Sequence, residues 1–474
     1  MGYQLFVPPF VGLADNGDFS RVAEPLGIFP PPEIGNAAFF DWIVPQYRFD
    51  PKRIWFHGLC CYSSETLFGI GSLPIGLLIS PPGQFDLRAI GIANLIGFLV
   101  AFRLLLLALR PLPPALAISG GLLLLAIFTD VAYVSYFNSF YTEPAALIFF
   151  VAFLGLAFLL ARRRDPPLWL PTSFLLCAGL LATSRPQNAL LGPLLALLGI
   201  RLAWRDRDVS RRRLGVAAAV ALSLASLWYA RSTPEPLRRI LLYNAVFREL
   251  LTNSADPRRD LVELKLPTEL DRLVGTTGFS PSAPITEAGF QKDFFDRIGY
   301  GKLARFYAAR PGRIWKALER SASHAFELRP LYIGNFARET GRPAQSRTGS
   351  FAAWSRAKEL LLPARLWFVI AYLIVNLIAA LELRLRAKNR SVRLAGEIWI
   401  AVALVAAFQF SVSAVMDHES RRSLFLFNAA SDLLFTALCL RAGTVFAYER
   451  AGWGREIRTA GPSADGVSLR PSRP

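Results

Sequence analysis

Residues 142–165 read TEPAALIFFVAFLGLAFLLARRRD: an acid beside a proline, seventeen residues without a polar side chain, then three arginines. With its flanks this run is long enough to cross the ~30 Å hydrocarbon core of a bilayer as a helix rising ~1.5 Å per residue. Eight further runs of the same kind occupy 88–109, 115–137, 167–184, 188–204, 213–230, 364–383, 394–416 and 422–446. A tenth, 66–80, is shorter, holds three glycines and a proline, and reads as a helix lying at the interface.

The composition agrees. Of 474 residues, 53% are hydrophobic and 19% charged, and the mean hydropathy is +0.35. A soluble domain carries roughly 25% charged residues, so a soluble multidomain chain is excluded. The formal charge of +18 comes in short bursts between apolar runs rather than along one stripe or arm, so no nucleic-acid partner is expected. The four cysteines and three histidines show neither CxxC nor HExxH spacing, and no phosphate-binding or dinucleotide-binding glycine motif occurs. The class is an all-α polytopic membrane protein.

Orientation follows from the short loops. Residues 162–165 are Arg-Arg-Arg-Asp, 201–213 hold six arginines against two aspartates, and 384–393 hold five basic residues and no acid. When nine spans alternate, these loops share one side, the cytoplasmic one. The division expected is an extracytoplasmic first loop at 1–87, membrane helices in 88–230, a mainly helical extracytoplasmic domain at 231–363, membrane helices in 364–446, and a cytoplasmic tail at 447–474. An outward 1–87 needs a helix upstream of Met1, or else 66–80 must span; the upstream helix is the expectation, giving nine to ten spans. In the large loop, 235–251 reads as a helix. The stretch 300–325 alternates Leu303, Phe306, Tyr307, Ile314, Trp315 and Leu318 with basic residues, as a helix on a membrane surface does.

Ionisable groups within spans cost roughly 2.5–3.5 kcal/mol on insertion scales and are function candidates. Alternation places them together. Asp130 lies in the outer third of 115–137; Tyr141 and Glu143 flank the next turn; Arg185 and Gln187 occupy another; Asp417, Glu419, Arg421 and Arg422 crowd the last. Carboxylates among arginines suit transfer from a lipid-linked phosphate, because guanidinium forks hold the leaving phosphate and a carboxylate deprotonates the acceptor hydroxyl.

The layout resembles the GT-C superfamily of polytopic glycosyltransferases, which use polyprenyl-phosphate-linked sugars. The stretch Asn138 to Pro144, NSFYTEP, looks like the S/T-E-P turn of many members, and Phe306 to Gly312, FYAARPG, like their outer interfacial segment. Ala14 to Phe19, ADNGDF, stands where the superfamily's catalytic acidic motif would be. The resemblance implies Asp18 as general base with Asp15 close behind, and Arg185, Arg421 and Arg422 on the phosphate. Asp130, Glu143 and Asp417 would orient these or bind sugar hydroxyls, with Gln187, Tyr141 and Glu419 lining the same cavity. The acceptor would be an envelope glycan, lipid or protein, on the outer face of a bacterial inner membrane. The motif is D-N-G-D rather than an adjacent acidic pair, which leaves open a requirement for a divalent metal; no other cofactor is implied. The rival reading is a transporter or flippase of an anionic lipid or glycan, which would use the same arginines as a path.

Overall fold

The computed structural model describes residues 1–34, 38–55, 63–163, 165–280, 282–416 and 420–459; for 416, 420, 421 and 447–459 it describes the backbone alone. The main helices are α1 (Glu65–Ile79), α2 (Arg88–Leu109), α3 (Pro114–Phe128), α4 (Val131–Val134), α5 (Glu143–Arg162), α6 (Trp169–Ala182), α7 (Gly192–Ala203), α8 (Val209–Arg231), α9 (Leu366–Arg386), α10 (Arg390–Met416) and α11 (Phe425–Thr459). Among the described residues six of them, α2, α5, α8, α9, α10 and the apolar part of α11, are long and apolar enough to cross a membrane. The chain is a mainly helical, polytopic membrane protein.

Three expected spans are broken or shortened. The run 115–137 ends as a helix at Phe128, and Asp130 begins the separate α4. The run 167–184 yields the fourteen-residue α6, and 188–204 divides into a 3-10 turn, Pro186–Leu191, and the twelve-residue α7. The last span, expected to end at 446, continues as a helix to Thr459.

The hub is α5. Within its apolar window 83% of residues are buried, against 28% in α2 and 11% in α8, so α5 faces protein while α8 faces outward. Pro144 in its first turn suits a position where no backbone donor is needed. It packs on α1, α2, α6, α10 and α11. At Gly155 a β-carbon would sit 2.6 Å from the Leu104 carbonyl carbon, so only glycine lets α5 and α2 approach this closely. At the far end of α5 the Arg162 guanidinium caps the Leu107 and Ala108 carbonyls of α2. At that same arginine-rich end, Glu397 of α10 takes Arg201 in a two-bond fork (2.7 and 2.9 Å) and Arg384 at 3.3 Å.

Residues 1–87 are not simply a loop. They include a three-stranded antiparallel sheet, β1 (Leu26–Phe29), β2 (Gln46–Ile54) and β3 (Gln84–Asp86), in the order β1-β2-β3. The large loop divides in two. Residues 242–307 form their own core, in which Tyr243, Phe247, Phe290 and Phe294 stack with ring centroids 4.6 to 6.3 Å apart. The stretch expected as one surface helix is two, Tyr300–Ala308 and Pro311–Ala322. Leu303, Phe306 and Tyr307 are buried in the loop's core rather than laid on a membrane, because that core supplies apolar partners. The second part returns to the bundle. Gly12 and Asn335 exchange two bonds, N–H to carbonyl at 3.2 Å and side-chain Nδ2 to the Gly12 carbonyl at 2.9 Å. Lys358, buried, meets Asp432 of α11 at 2.7 Å, with Tyr133, Trp354 and Asn428 completing the network.

Asn138 fixes the N-terminal segment by donating from Nδ2 to the Leu5 and Val11 carbonyls at 2.9 and 2.8 Å. A β-carbon at Gly91 of α2 would lie 1.9 Å from Asn138 Oδ1. Gly91→Ala therefore lowers stability by about 1–3 kcal/mol through displacement of that amide. In an Asn138→Ala background the same substitution is close to neutral. A thermal-unfolding cycle on detergent-solubilised protein measures the coupling; additive losses would show that the two positions do not act through one contact.

Candidate functional site

The motif Asp15-Asn16-Gly17-Asp18 folds as a tight turn. Asp15 Oδ1 accepts from Gly17 N at 2.7 Å and Phe19 N at 3.1 Å, Asn16 Oδ1 accepts from Asp18 N at 3.2 Å, and Gly17 takes a φ of 98° that suits glycine. This is why the two acids are spaced by two residues. Asp15 caps the turn into the short helix Ser20–Ala23, and Asp18 is turned towards the bundle. The Tyr141 hydroxyl donates to the Ala14 carbonyl at 2.7 Å, and Phe19 packs edge-on against Tyr141 with centroids 4.7 Å apart.

From Asp18 a line of alternating charges enters the protein. Arg21 Nη2 lies 2.9 Å from Asp18 Oδ1, Arg422 Nη1 is 2.8 Å from Asp18 Oδ2, and Arg422 Nε is 3.0 Å from Glu143 Oε1. Arg185 Nη1 shares that Glu143 oxygen at 3.1 Å and also donates to the Arg422 carbonyl at 3.4 Å. Side-chain exposure falls along the line from 31% at Arg21 and 22% at Asp18 to 3% at Arg422 and 1% at Glu143, then rises to 14% at Arg185. Arg422 also lies over the Tyr141 ring, 3.9 Å from its centroid, a cation–π contact on a buried face. Glu143 is the first residue of α5, where the helix dipole adds to the attraction of the two guanidiniums.

Arg185 uses only Nη1. Its Nε and Nη2 meet no acceptor among the described residues, so part of its fork remains for an incoming oxygen pair. Glu143 Oε2 is likewise a buried acceptor without a hydrogen-bond partner among the described residues.

The two aspartates are tuned in opposite directions. Burial pushes the Asp15 carboxyl up to about 6, against the pull of its two backbone hydrogen bonds. Burial also raises Asp18, but Arg21 and Arg422 outweigh it and hold the carboxyl at about 2. With Asp15 protonated, the three arginines and two ionised carboxylates named here leave one net positive charge.

Of the residues singled out in the sequence, Asp18, Tyr141, Glu143, Arg185 and Arg422 come together, with Asp15 on the adjoining turn. Asp130 does not. It lies at a break between helices rather than inside one, and its oxygens accept from Ala132 N at 2.8 Å and Ser355 N at 2.9 Å, so it caps α4 and fastens the returning loop. Gln187, half-buried on the turn after Arg185, makes no hydrogen bond among the described residues. Asp417 and Glu419, and the side chain of Arg421, lie outside the described residues. Arg21 was not singled out; its signal is the i, i+3 spacing from Asp18. Asp432 passes the test applied to Asp130, an acid within an apolar run, and answers to Lys358. No group of three metal-binding side chains occurs among the described residues.

Linkage gives each aspartate a sign. The depressed Asp18 supplies about 2 kcal/mol above about pH 4, lost as pH falls towards 2. The raised Asp15 costs up to about 3 kcal/mol above pH 6, relieved as pH falls from 6 to 4. Asp15→Asn is therefore more stable than wild type at pH 8, with the gain vanishing by pH 4, whereas Asp18→Asn is less stable at pH 7. Thermal unfolding of both variants across that pH range tests the assignment, and a destabilised Asp15→Asn at pH 8 would refute it.

No match was found among curated proteins or among solved structures. The family described as YfdI N-terminal transmembrane domain matches residues 1–451, nearly the whole chain, and the protein belongs to that family.

Proposed function

We propose that the protein transfers a glycosyl group from a polyprenyl-phosphate-linked sugar to a cell-envelope acceptor at the outer face of a bacterial inner membrane. The observation that carries this reading is the line Asp18–Arg422–Glu143–Arg185 beside the Asp15 turn, ending in a guanidinium with open donors. It supports glycosyl transfer because a phosphate diester needs a fixed fork of donors and the acceptor hydroxyl needs a base.

In this reading Arg185 Nε and Nη2 take two oxygens of the donor phosphate, and Arg422 is held alongside by Asp18, Glu143 and the Tyr141 ring. The acceptor hydroxyl oxygen forms a bond to the anomeric carbon. The bond from that carbon to the phosphate oxygen breaks, and its electron pair leaves with the polyprenyl phosphate. Asp15 takes the hydroxyl proton. The base is Asp15 rather than Asp18, since a carboxylate held at about 2 by two arginines is a weak proton acceptor while one near 6 is poised. Glu143 Oε2 accepts from a sugar hydroxyl. Transport is disfavoured because these charges stand at helix ends: Glu143 opens α5, Arg185 follows α6 and Arg422 precedes α11.

The test uses full-length protein in vesicles with radiolabelled polyprenyl-phosphate hexose and an envelope extract as acceptor. Wild type transfers label, its rate falls as pH drops below about 6, and Asp15→Asn loses about 10²–10⁴-fold. Arg185→Lys keeps the charge but not the fork, so the donor KM rises about tenfold with a smaller change in kcat. Undiminished transfer by Asp15→Asn would remove it as base, and label crossing the bilayer without transfer would favour transport.

A further inference from the structure

The arginine-rich end of the bundle holds a cavity, remote from the charge cluster at Glu143. Between the ends of α5, α6, α7 and α8 lies a cavity of about 130 Å³. That is on the order of ten water-sized spheres, room for a phosphate and part of a glycerol. Its lining includes the apolar Phe174, Leu175 and Leu214 and the cations Arg163, Arg205 and Arg211, with the acid Asp206; Asp208 lies 3.7 Å from Arg211, so three arginines face two acids.

Two further observations say what fills it. Arg205 is 8% exposed and held by a 3.1 Å bond from Nη1 to the Leu160 carbonyl, so a cation is fixed in a largely apolar recess. Trp169, which opens α6, and Trp204, which follows α7, are 56% and 60% exposed at the same end. Exposed tryptophans at helix ends mark the headgroup level of a bilayer, so the recess sits at phosphate depth. Leu214, 67% exposed on the outward-facing α8, continues the apolar wall towards the lipid.

We propose that this cavity binds the phosphate of a net-anionic glycerophospholipid, with its acyl chains along α8. Under the orientation given by the arginine-rich loops the lipid belongs to the cytoplasmic leaflet. Arg163 and Arg211 reach it from the rim, and Arg205 from within. The inference rests on the membrane class, its leaflet on the loop charges, and it stands whether or not the protein transfers sugars.

Native mass spectrometry of the full chain in detergent, titrated with phosphatidylglycerol, phosphatidylcholine or soluble glycerol 3-phosphate, tests it. Phosphatidylglycerol gives a retained adduct and a rise in unfolding temperature; phosphatidylcholine gives neither. The exposed pair Arg163→Gln/Arg211→Gln folds as wild type and binds phosphatidylglycerol about thirtyfold more weakly, roughly fivefold per charge. Equal retention of phosphatidylcholine, or an unchanged affinity in the double variant, would overturn the proposal. Stabilisation by glycerol 3-phosphate equal to that by the lipid would assign the cavity to a soluble phosphate ester instead.

Discussion

A guanidinium that is 3% exposed at the end of a helix bundle has lost most of its water, and it stays charged only if anions replace that water. Arg422 meets two, Asp18 and Glu143, and the rest of the site is arranged by that demand. Satisfying it brings the start of α5, the turn before α11 and a loop from the N-terminal segment to one point. Glu143 is equally constrained, because an unpaired carboxylate buried at the first turn of α5 would be costly; Arg185 and Arg422 share one of its oxygens. Removing both arginines would incur the penalty of about 3–5 kcal/mol typical of an orphaned buried charge. The same logic governs the second buried pair, Lys358 and Asp432, which ties the returning half of the large loop to α11.

Much of this was legible in the sequence because hydrophobic runs and loop charges are one-dimensional signals. Most of the long apolar runs became long helices, and Glu143, Arg185 and Arg422, from three alternate loops, met Asp18 at one end. Helix breaks were less legible. Thr129 and Asp130 look like a polar interruption of one span, yet the Thr129 hydroxyl bonds back to the Leu125 carbonyl and Asp130 starts a new helix. The small sheet within residues 1–87 was less legible too: Gln46 to Asp50 alternate polar and apolar residues, but Pro51 and the charged Lys52 and Arg53 break the run.

The large loop shows a different limit. Aromatic residues alternating with basic ones look the same whether they lie on lipid or on a protein core, and only tertiary partners decide. Tyr243, Phe247, Phe290 and Phe294 provide such partners for the first half. Which of the two carboxylates is held ionised was equally hidden. Asp15 and Asp18 are alike in sequence, and the difference between about 6 and about 2 comes from Arg21, three residues on from Asp18, together with Arg422, more than 400 residues away in the chain.

That separation has a consequence for how the protein is made. Asp18 and Arg422 are 404 residues apart, and Gly12 and Asn335 are 323 apart. At a synthesis rate of about 5–20 residues per second, the N-terminal turn waits about 20–80 seconds for the arginine that neutralises it. During that interval the early helices are already in the bilayer while Glu143 lacks its Arg422 partner. The charge cluster is therefore among the last parts to form, and a ribosome that stalls before residue 422 leaves an inserted bundle in which Glu143 has Arg185 alone and Asp18 has Arg21 alone.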